Sequence, residues 1–525
     1  MMGGAQCGAS TREMPLGELT AGVLDPAGAP GDIRVSDVTL DSRAVRPGAL
    51  FLACRGTTRH GLEFAHEAIT KGARAILYEP LGAEGALAAA ATRAREGAVF
   101  FAGVPRLAER AGLIADRFFE APSKFLAVAG VTGTNGKTTC AYLLAQALTR
   151  LGKPAGYIGT LGAGFPGTIE PFGLTTADVV TVHRQLAKLR ALGAECVSME
   201  ISSHALEQGR VNGVRLRAAA FTNLTRDHLD FHGSMESYAR AKARLFEGEP
   251  AARIINVDDA FGLELARRYA GATGRLVVTA RHLAASETEA LHGARYVRAR
   301  RVQALRGGAS LTIDSSWGSA VLEVPLIGDF NADNVLTVLG VLLSQDVPLE
   351  KAAAALATST APPGRMEMIG PACGVLAIVD YAHTPDALAN ALRAARAHCT
   401  GSLRVVFGCG GERDPGKRPM MGGVARELAD EIVVTDDNPR GEDPRQIVAQ
   451  ILAGIGSGAH VQVQHDRAAA IRDALARSTA GDVLLIAGKG HEDYQLIGGE
   501  RRPFSDQAVA REWLEDSKGR ACSAR

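Results

Sequence analysis

Two glycines, Gly133 and Gly136, bracket Thr134 and Asn135 and are followed at once by Lys137, Thr138 and Thr139. Glycine and asparagine bend a chain sharply and let its backbone approach a ligand. The apolar run Phe125–Val131 before them reads as a buried parallel strand. From Lys137 onward Tyr142, Leu143, Ala147 and Leu148 recur on one face of a helix. Strand, glycine turn and helix start together aim amide N–H groups and the positive end of a helix dipole at one point. A phosphate suits that point: Lys137 would reach the β- and γ-phosphates of a nucleotide, and the Thr138 hydroxyl would sit on Mg²⁺. The spacing departs from G-x-x-x-x-G-K-[ST], because Val131 stands five positions before Gly136. By this motif alone an ordinary glycine turn stays open.

Other residues able to do chemistry follow predicted strands, where open α/β sheets bind ligands. Glu200 ends the strand Glu195–Glu200; Asp227, His228 and Asp230 follow Ala218–Asn223. Lys242 shares a helix face with Tyr238 and Phe246 and, taken singly, reads as a solvated lysine. Further on come Arg365, then Asp380, Tyr381 and His383, then Arg413 two residues past a glycine pair. Asp437, Asn438, Pro439 and Arg440 follow, and finally Gly488, Lys489, His491, Glu492 and Tyr494. An exposed turn explains any one of these groups, but not three charged clusters each placed just past a strand.

The elements that position these residues alternate as strand and helix, and 525 residues are enough for about three domains. We expect an α/β protein with a small N-terminal α/β domain (1–122, about the first 25 residues mobile). A central, mostly parallel sheet of P-loop ATPase type (123–360) and a C-terminal doubly wound, Rossmann-like sheet (361–525) follow. The last domain lacks a GxGxxG opening onto a helix, so it is not read as a dinucleotide fold. With 58 basic and 57 acidic residues, the net charge of +1 argues against a nucleic-acid surface. No apolar run approaches the roughly 18–20 residues that cross a bilayer, and no signal peptide is expected. Eight cysteines without C-x-x-C pairs read as reduced thiols of a cytoplasmic protein.

The string Gly-Thr-Asn-Gly-Lys-Thr-Thr resembles the ATP loop of the Mur ligase family, which joins amino acids to carboxylates. From about residue 30 onward eight motifs match that family in order. The resemblance implies that residues 133–139 hold ATP together with Asn331, Asn334, Arg365, Asp380, Tyr381 and His383. It implies that Leu40, Ser42, Thr57, Thr58, Arg59, Thr175, Thr176, Ser202, Gln208 and Arg210 hold UDP-N-acetylmuramoyl-L-alanyl-D-glutamate. Leu174 stands where close relatives often carry Asn, which removes one substrate hydrogen bond. Lys137, Glu200, His228 and Lys242 would be the catalytic group. Thr138, Glu200, His228 and Lys242 (as N6-carboxylysine) would bind two Mg²⁺ ions, carbamylation turning an ammonium into an anionic oxygen donor. Asp437-Asn438-Pro439-Arg440 resembles the motif of members that add meso-diaminopimelate, with Arg413, Gly488 and Glu492 completing that pocket. A guanidinium grips the far carboxylate that lysine lacks. A monomer acting on small molecules is expected, with no nucleic acid or membrane partner.

Two magnesium ions would have a physical purpose in such a reaction. A carboxylate brought within 4 Å of a phosphate oxyanion is repelled by about 4 kcal/mol at an effective dielectric near 20. That is roughly a thousandfold in rate.

Overall fold

The computed structural model describes residues 13–24, 32–56, 58–282, 291, 293–305, 307–372, 374–458 and 460–523. Contacts divide the chain into two compact units, one of 1–134, 152–220 and 224–253, the other of 135–151, 221–223 and 254–525.

In the first unit β1 (Asp37–Thr39), β2 (Ala49–Ala53), β3 (Ala75–Tyr78) and β4 (Phe100–Gly103) form a four-stranded parallel sheet in chain order. Leu50 and Leu52 face one apolar cluster while Ala49, Phe51 and Ala53 face another. Burial on both faces is why β2 is a continuous apolar run instead of an alternating one. Residues 13–24 are not a mobile start: Leu16 and Leu19 are buried in the first of those clusters, and Met14–Pro15 pairs with Arg34–Val35. A 3₁₀ turn, Gly61–Phe64, is followed by a helix, Ala65–Thr70. The helix Glu84–Glu96 was not legible, since its alanines bury only Ala90 and Ala94 and leave no apolar stripe.

The large sheet comprises β5 (Ala127–Thr132), β6 (Ala155–Gly159), β7 (Gly162–Gly164), β8 (Cys196–Glu200), β9 (Ala218–Phe221) and β10 (Ala252–Asn256). It continues with β11 (Arg275–Ala280), β12 (Arg295–Leu305), β13 (Gly308–Ser315) and β14 (Gly318–Val324). Its order is β14-β13-β12-β11-β10-β9-β5-β8-β6-β7. β8 runs parallel to β5 and β6, in a register that sets Glu200 beside Val131. β12, β13 and β14 form antiparallel hairpins. The helix α1 (Lys137–Arg150) differs from expectation: every residue from Thr138 to Leu148 is buried, so it is a core helix and not a one-faced one. α2 (Met235–Ala243) and α3 (Asp329–Ser344) carry residues of the site, and α3 packs against α1.

The remaining sheet comprises β15 (Glu367–Ala372), β16 (Val375–Asp380), β17 (Leu403–Phe407), β18 (Glu431–Val434), β19 (Val461–Val463) and β20 (Val483–Ala487). Its order is β15-β16-β20-β17-β18-β19, parallel except for β15. Leu403, Val405 and Phe407 enter one apolar cluster and Val406 the other, so helices cover both faces. β20 lies between β16 and β17, and the register pairs Asp380 with Ala487. The turns after β16, β17, β18 and β20 therefore emerge at the carboxyl end of the sheet, where doubly wound folds take ligands. A hairpin of β21 (Tyr494–Ile497) and β22 (Glu500–Pro503) follows. Among the described residues no helix is long and apolar enough to cross a membrane.

Candidate active site

The glycine loop is held from several sides. Gly136 has φ +86° and opens α1 without a side chain that could cap it. Asn135 N–H donates to Asn223 Oδ1 (2.9 Å), and the Thr222 hydroxyl donates to Asn135 O (2.6 Å). Thr134 Oγ1 lies 3.1 Å from Tyr238 OH. Asn331 and Asn334 are buried in the first turns of α3: Asn331 Nδ2 donates to Ile327 O (2.7 Å), and Asn334 Nδ2 to Asn331 Oδ1 (2.9 Å). Asn334 Oδ1 stands against Gly136, where a β-carbon would lie 2.2 Å away. In the fold the two asparagines thus brace the loop.

Lys242 is not the solvated lysine that it reads as when taken singly. Its side chain is 1% exposed, and its ammonium donates to Gly133 O (2.8 Å) while lying 4.4 Å from the centre of the Tyr238 ring. Glu200 is fully buried at the end of β8 and accepts from Tyr157 OH, Thr160 N–H (2.9 Å) and the Thr160 hydroxyl (3.1 Å). The Thr176 hydroxyl donates to Glu200 O (2.9 Å) and accepts from Ser202 N–H (3.1 Å). Arg210 donates to Thr176 O (2.8 Å) and Gln208 Oε1 (2.7 Å). Thr175 Oγ1 lies 3.1 Å from Thr160 Oγ1. One hydrogen-bonded group thus gathers the residues expected to hold the muramyl substrate around Glu200, with Leu174 exposed nearby in sequence. His228 sits half-exposed in left-handed backbone (φ +52°), its ring 4.9 Å edge-on from His204. Burial, and then the neighbouring His228 and His232, pull the His204 imidazole below its ordinary value. The sequence reading did not single out His204 or His232.

Residues expected near the uridine end lie apart, in the four-stranded domain. Ser42 donates to Glu67 Oε2 (2.6 Å), Leu40 is half-buried against the core, and Thr58 is exposed. Arg59 pairs with Glu63 (2.9 Å) over the Phe64 ring, and Thr57 lies outside the described residues.

At the carboxyl end of the six-stranded sheet, Asp380 accepts from Met366 N–H (2.8 Å) and Ala382 N–H (2.9 Å), while burial pushes its carboxyl above the usual range. Arg365 lies 4.8 Å from the Tyr381 ring, and His383 Nδ1 lies 2.9 Å from Tyr381 O. Burial also lowers the His383 imidazole. Asp437 and Asn438 are buried. A β-carbon on Gly488 would lie 2.6 Å from Asp437 Oδ2, so glycine is required there. Asn438 Nδ2 donates to Glu492 Oε2 (2.8 Å). Arg440, following Pro439, is half-buried and held in left-handed backbone (φ +54°) by Arg440 N–H to Leu496 O (2.8 Å) and Gly498 N–H to Arg440 O (2.7 Å). Its guanidinium donates to Gly411 O (2.6 Å). Arg413 is exposed.

Three domain models match in order: the Mur ligase family catalytic domain over residues 34–118, the Mur ligase middle domain over 131–342 and the Mur ligase glutamate ligase domain over 364–490. A UDP-N-acetylmuramoyl-L-alanyl-D-glutamate–2,6-diaminopimelate ligase of Xanthomonas campestris pv. campestris (strain 8004) is 47% identical over 92% of this chain and 94% of its own. The chain belongs to the Mur ligase family. A second ligase of the same name, from Ectopseudomonas mendocina, is 47% identical over 95% of this chain and 98% of its own. A solved structure of such a ligase superposes with a TM-score of 0.71 at 32% identity, covering 97% of this chain and all of that one. The Mur ligase of Thermotoga maritima solved with ADP, at 16% identity and a TM-score of 0.56, shares the fold. The architecture is thus the three-domain α/β arrangement of Mur ligases.

Within this Mur ligase chain, no three His, Cys, Asp or Glu side chains among the described residues converge on a metal position. Glu200 and His228 alone would not complete a shell, so a magnesium ion held by them would need further oxygen donors. The buried Lys242 would supply one if carboxylated, and hydroxyl, phosphate and water oxygens would supply the rest. That donor chemistry fits a hard cation.

Proposed function

We propose that the chain is an ATP-dependent amide ligase that adds meso-2,6-diaminopimelate to UDP-N-acetylmuramoyl-L-alanyl-D-glutamate. It releases ADP and phosphate and forms the nucleotide-linked tripeptide of peptidoglycan synthesis. The observation that carries this reading is the 47% identity, over nine-tenths of both chains, to ligases of that name. Arg440 in its strained, pinned turn supports it.

In this reading the D-glutamate γ-carboxylate attacks the γ-phosphate of ATP to give an acyl phosphate and ADP. The diaminopimelate amine then attacks the acyl carbon, a tetrahedral intermediate forms, and phosphate leaves as the nitrogen gives up a proton. Residues 133–139 cradle the phosphates, with Lys137 drawing charge from the β- and γ-oxygens. Asn331, Asn334, Arg365, Asp380, Tyr381 and His383 serve the rest of ATP. Thr175, Thr176, Ser202, Gln208 and Arg210 hold the muramyl dipeptide, and Leu40, Ser42, Thr57, Thr58 and Arg59 its nucleotide. Thr138, Glu200, His228 and carboxylated Lys242 would hold Mg²⁺, which when bound screens the two anions from one another. Arg440 takes the distal carboxylate, with Arg413, Asp437, Asn438, Pro439, Gly488 and Glu492 around it. The working form is a cytoplasmic monomer of three domains, 1–122, 123–360 and 361–525.

The test is amino-acid-dependent phosphate release with meso-diaminopimelate and with lysine. Diaminopimelate should be preferred by at least roughly tenfold, since lysine leaves the half-buried Arg440 guanidinium without the distal carboxylate. Equal rates would end the assignment. Arg440→Ala should erase most of that preference, and a variant as selective as the wild type would remove Arg440 from its role.

A further inference from the structure

Lys489 lies in the turn after β20 and is fully buried, yet no step above uses it. Its ammonium donates to Asn438 Oδ1 (3.1 Å) and to Glu492 Oε2 (3.0 Å), and lies 5.5 Å from the centre of the Tyr494 ring. Asn438 Nδ2 donates to the same Glu492 oxygen (2.8 Å), and Leu496 N–H donates to Asn438 Oδ1 (3.0 Å). Lysine, asparagine and glutamate so close a small ring that joins the turn after β18 to the turn after β20. A buried ammonium is expensive to strip of water and persists only with partners of this quality.

The ring divides the two oxygens of Glu492. Oε2 is committed to Lys489 and Asn438, whereas Oε1 makes no hydrogen bond among the described residues and belongs to a carboxylate that is 19% exposed. Without the lysine, Glu492 Oε2 would lose its charged donor and keep only the weaker hold of the Asn438 amide. With it, one oxygen is held by two donors, which leaves the other as the acceptor still open to a ligand. A clamp that only held the two turns together would be indifferent to what Glu492 presents.

We propose that Lys489 is a positioning residue for the amino-acid substrate, fixing Glu492 and Asn438 so that the second Glu492 oxygen receives a substrate ammonium. The proposal rests on the assignment of Asn438 and Glu492 to the amino-acid pocket. It predicts a split in the kinetic constants, because pre-orientation of a binding group acts on the affinity for that substrate alone.

The experiment compares wild-type enzyme with Lys489→Met and Lys489→Gln. Wild type is first offered a panel of diamino acids, and the one it uses tests the proposed function independently. The variants are then assayed with that amino acid, whichever it is. The KM for the amino acid should rise at least about tenfold, with kcat within threefold and the KM for ATP and for the muramyl nucleotide within twofold. An amino-acid KM within twofold of wild type, or equal rises for all three substrates, would overturn the proposal. Should both variants fail to fold, Lys489→Met is made together with Glu492→Gln, which leaves no buried carboxylate unpaired. The double variant should match Glu492→Gln in amino-acid KM within twofold, and a further tenfold rise would show that Lys489 acts elsewhere.

Discussion

A β-carbon on Gly136 would lie 2.2 Å from Asn334 Oδ1, and its φ of +86° is a conformation that side chains other than glycine's rarely adopt. Gly136→Ala must therefore strain its own backbone and displace Asn334 from its bond to Asn331. We expect a loss of about 1–3 kcal/mol in urea unfolding. A fall of roughly 100-fold in ADP formation should accompany it, since a small misplacement of a phosphate cradle is costly. A variant within threefold of wild type would show that the loop tolerates the methyl group. At this scale the sharp turn was legible, because glycine is the residue that takes the positive φ found at Gly136. The burial of Lys242 was not: spacing put it on the face of Tyr238 and Phe246, but could not say that this face is covered and that Gly133 O waits there.

Strands β17 and β20 are tied at their starts by Asp482. Its carboxylate accepts from Ser402 N–H (2.7 Å) and Thr479 N–H (2.8 Å), and pairs with Arg404 (2.5 Å). Burial works to raise its pKa, but the two N–H groups and the guanidinium outweigh this and hold the carboxyl at about 2. The folded value thus lies below the unfolded value of about 4, so the stabilisation is complete above about pH 4 and is lost as pH falls toward 2. Asp482→Asn should be less stable than wild type at pH 6 and lose less on acidification across that window. Urea melts from pH 6 to pH 2.5 would read this, and parallel stability curves would count against it. The strands of this sheet were legible because two covered faces demand continuous apolar runs. Arg404 within β17 was not predictable as a buried residue, since its partners come from Glu431 and Asp482, far along the chain.

On the scale of the molecule, the last helix is fastened by one fully buried ion pair. Arg467, at the start of the helix Arg467–Ala476, pairs with Asp506 (2.7 Å) and donates to Ala487 O (2.9 Å), one residue before Gly488. Removing one partner of such a pair leaves an uncompensated buried charge, which costs about 3–5 kcal/mol. Arg467→Met should show that loss in urea unfolding, and Arg467→Met with Asp506→Leu should recover most of it. If the double variant were as unstable as the single one, the charge argument would be wrong. Neither residue belongs to a recognisable motif, and only the packing of residues 467–476 and 506–523 against the sheet makes them partners.

The sequence by itself determined the family, the order of strands and helices around each motif and the chemistry open to the glycine loop, because these depend on residue type and near-neighbour spacing. The tertiary structure decided which charged side chains are buried and what they hold: Lys242 on Gly133, Lys489 between Asn438 and Glu492, and Arg467 on Asp506; it also put Leu16 and Leu19 in the core. The physical reason is that a charge is stabilised in the interior only by specific partners, and those partners lie from 3 residues (Lys489 to Glu492) to 109 residues (Lys242 to Gly133) away along the chain.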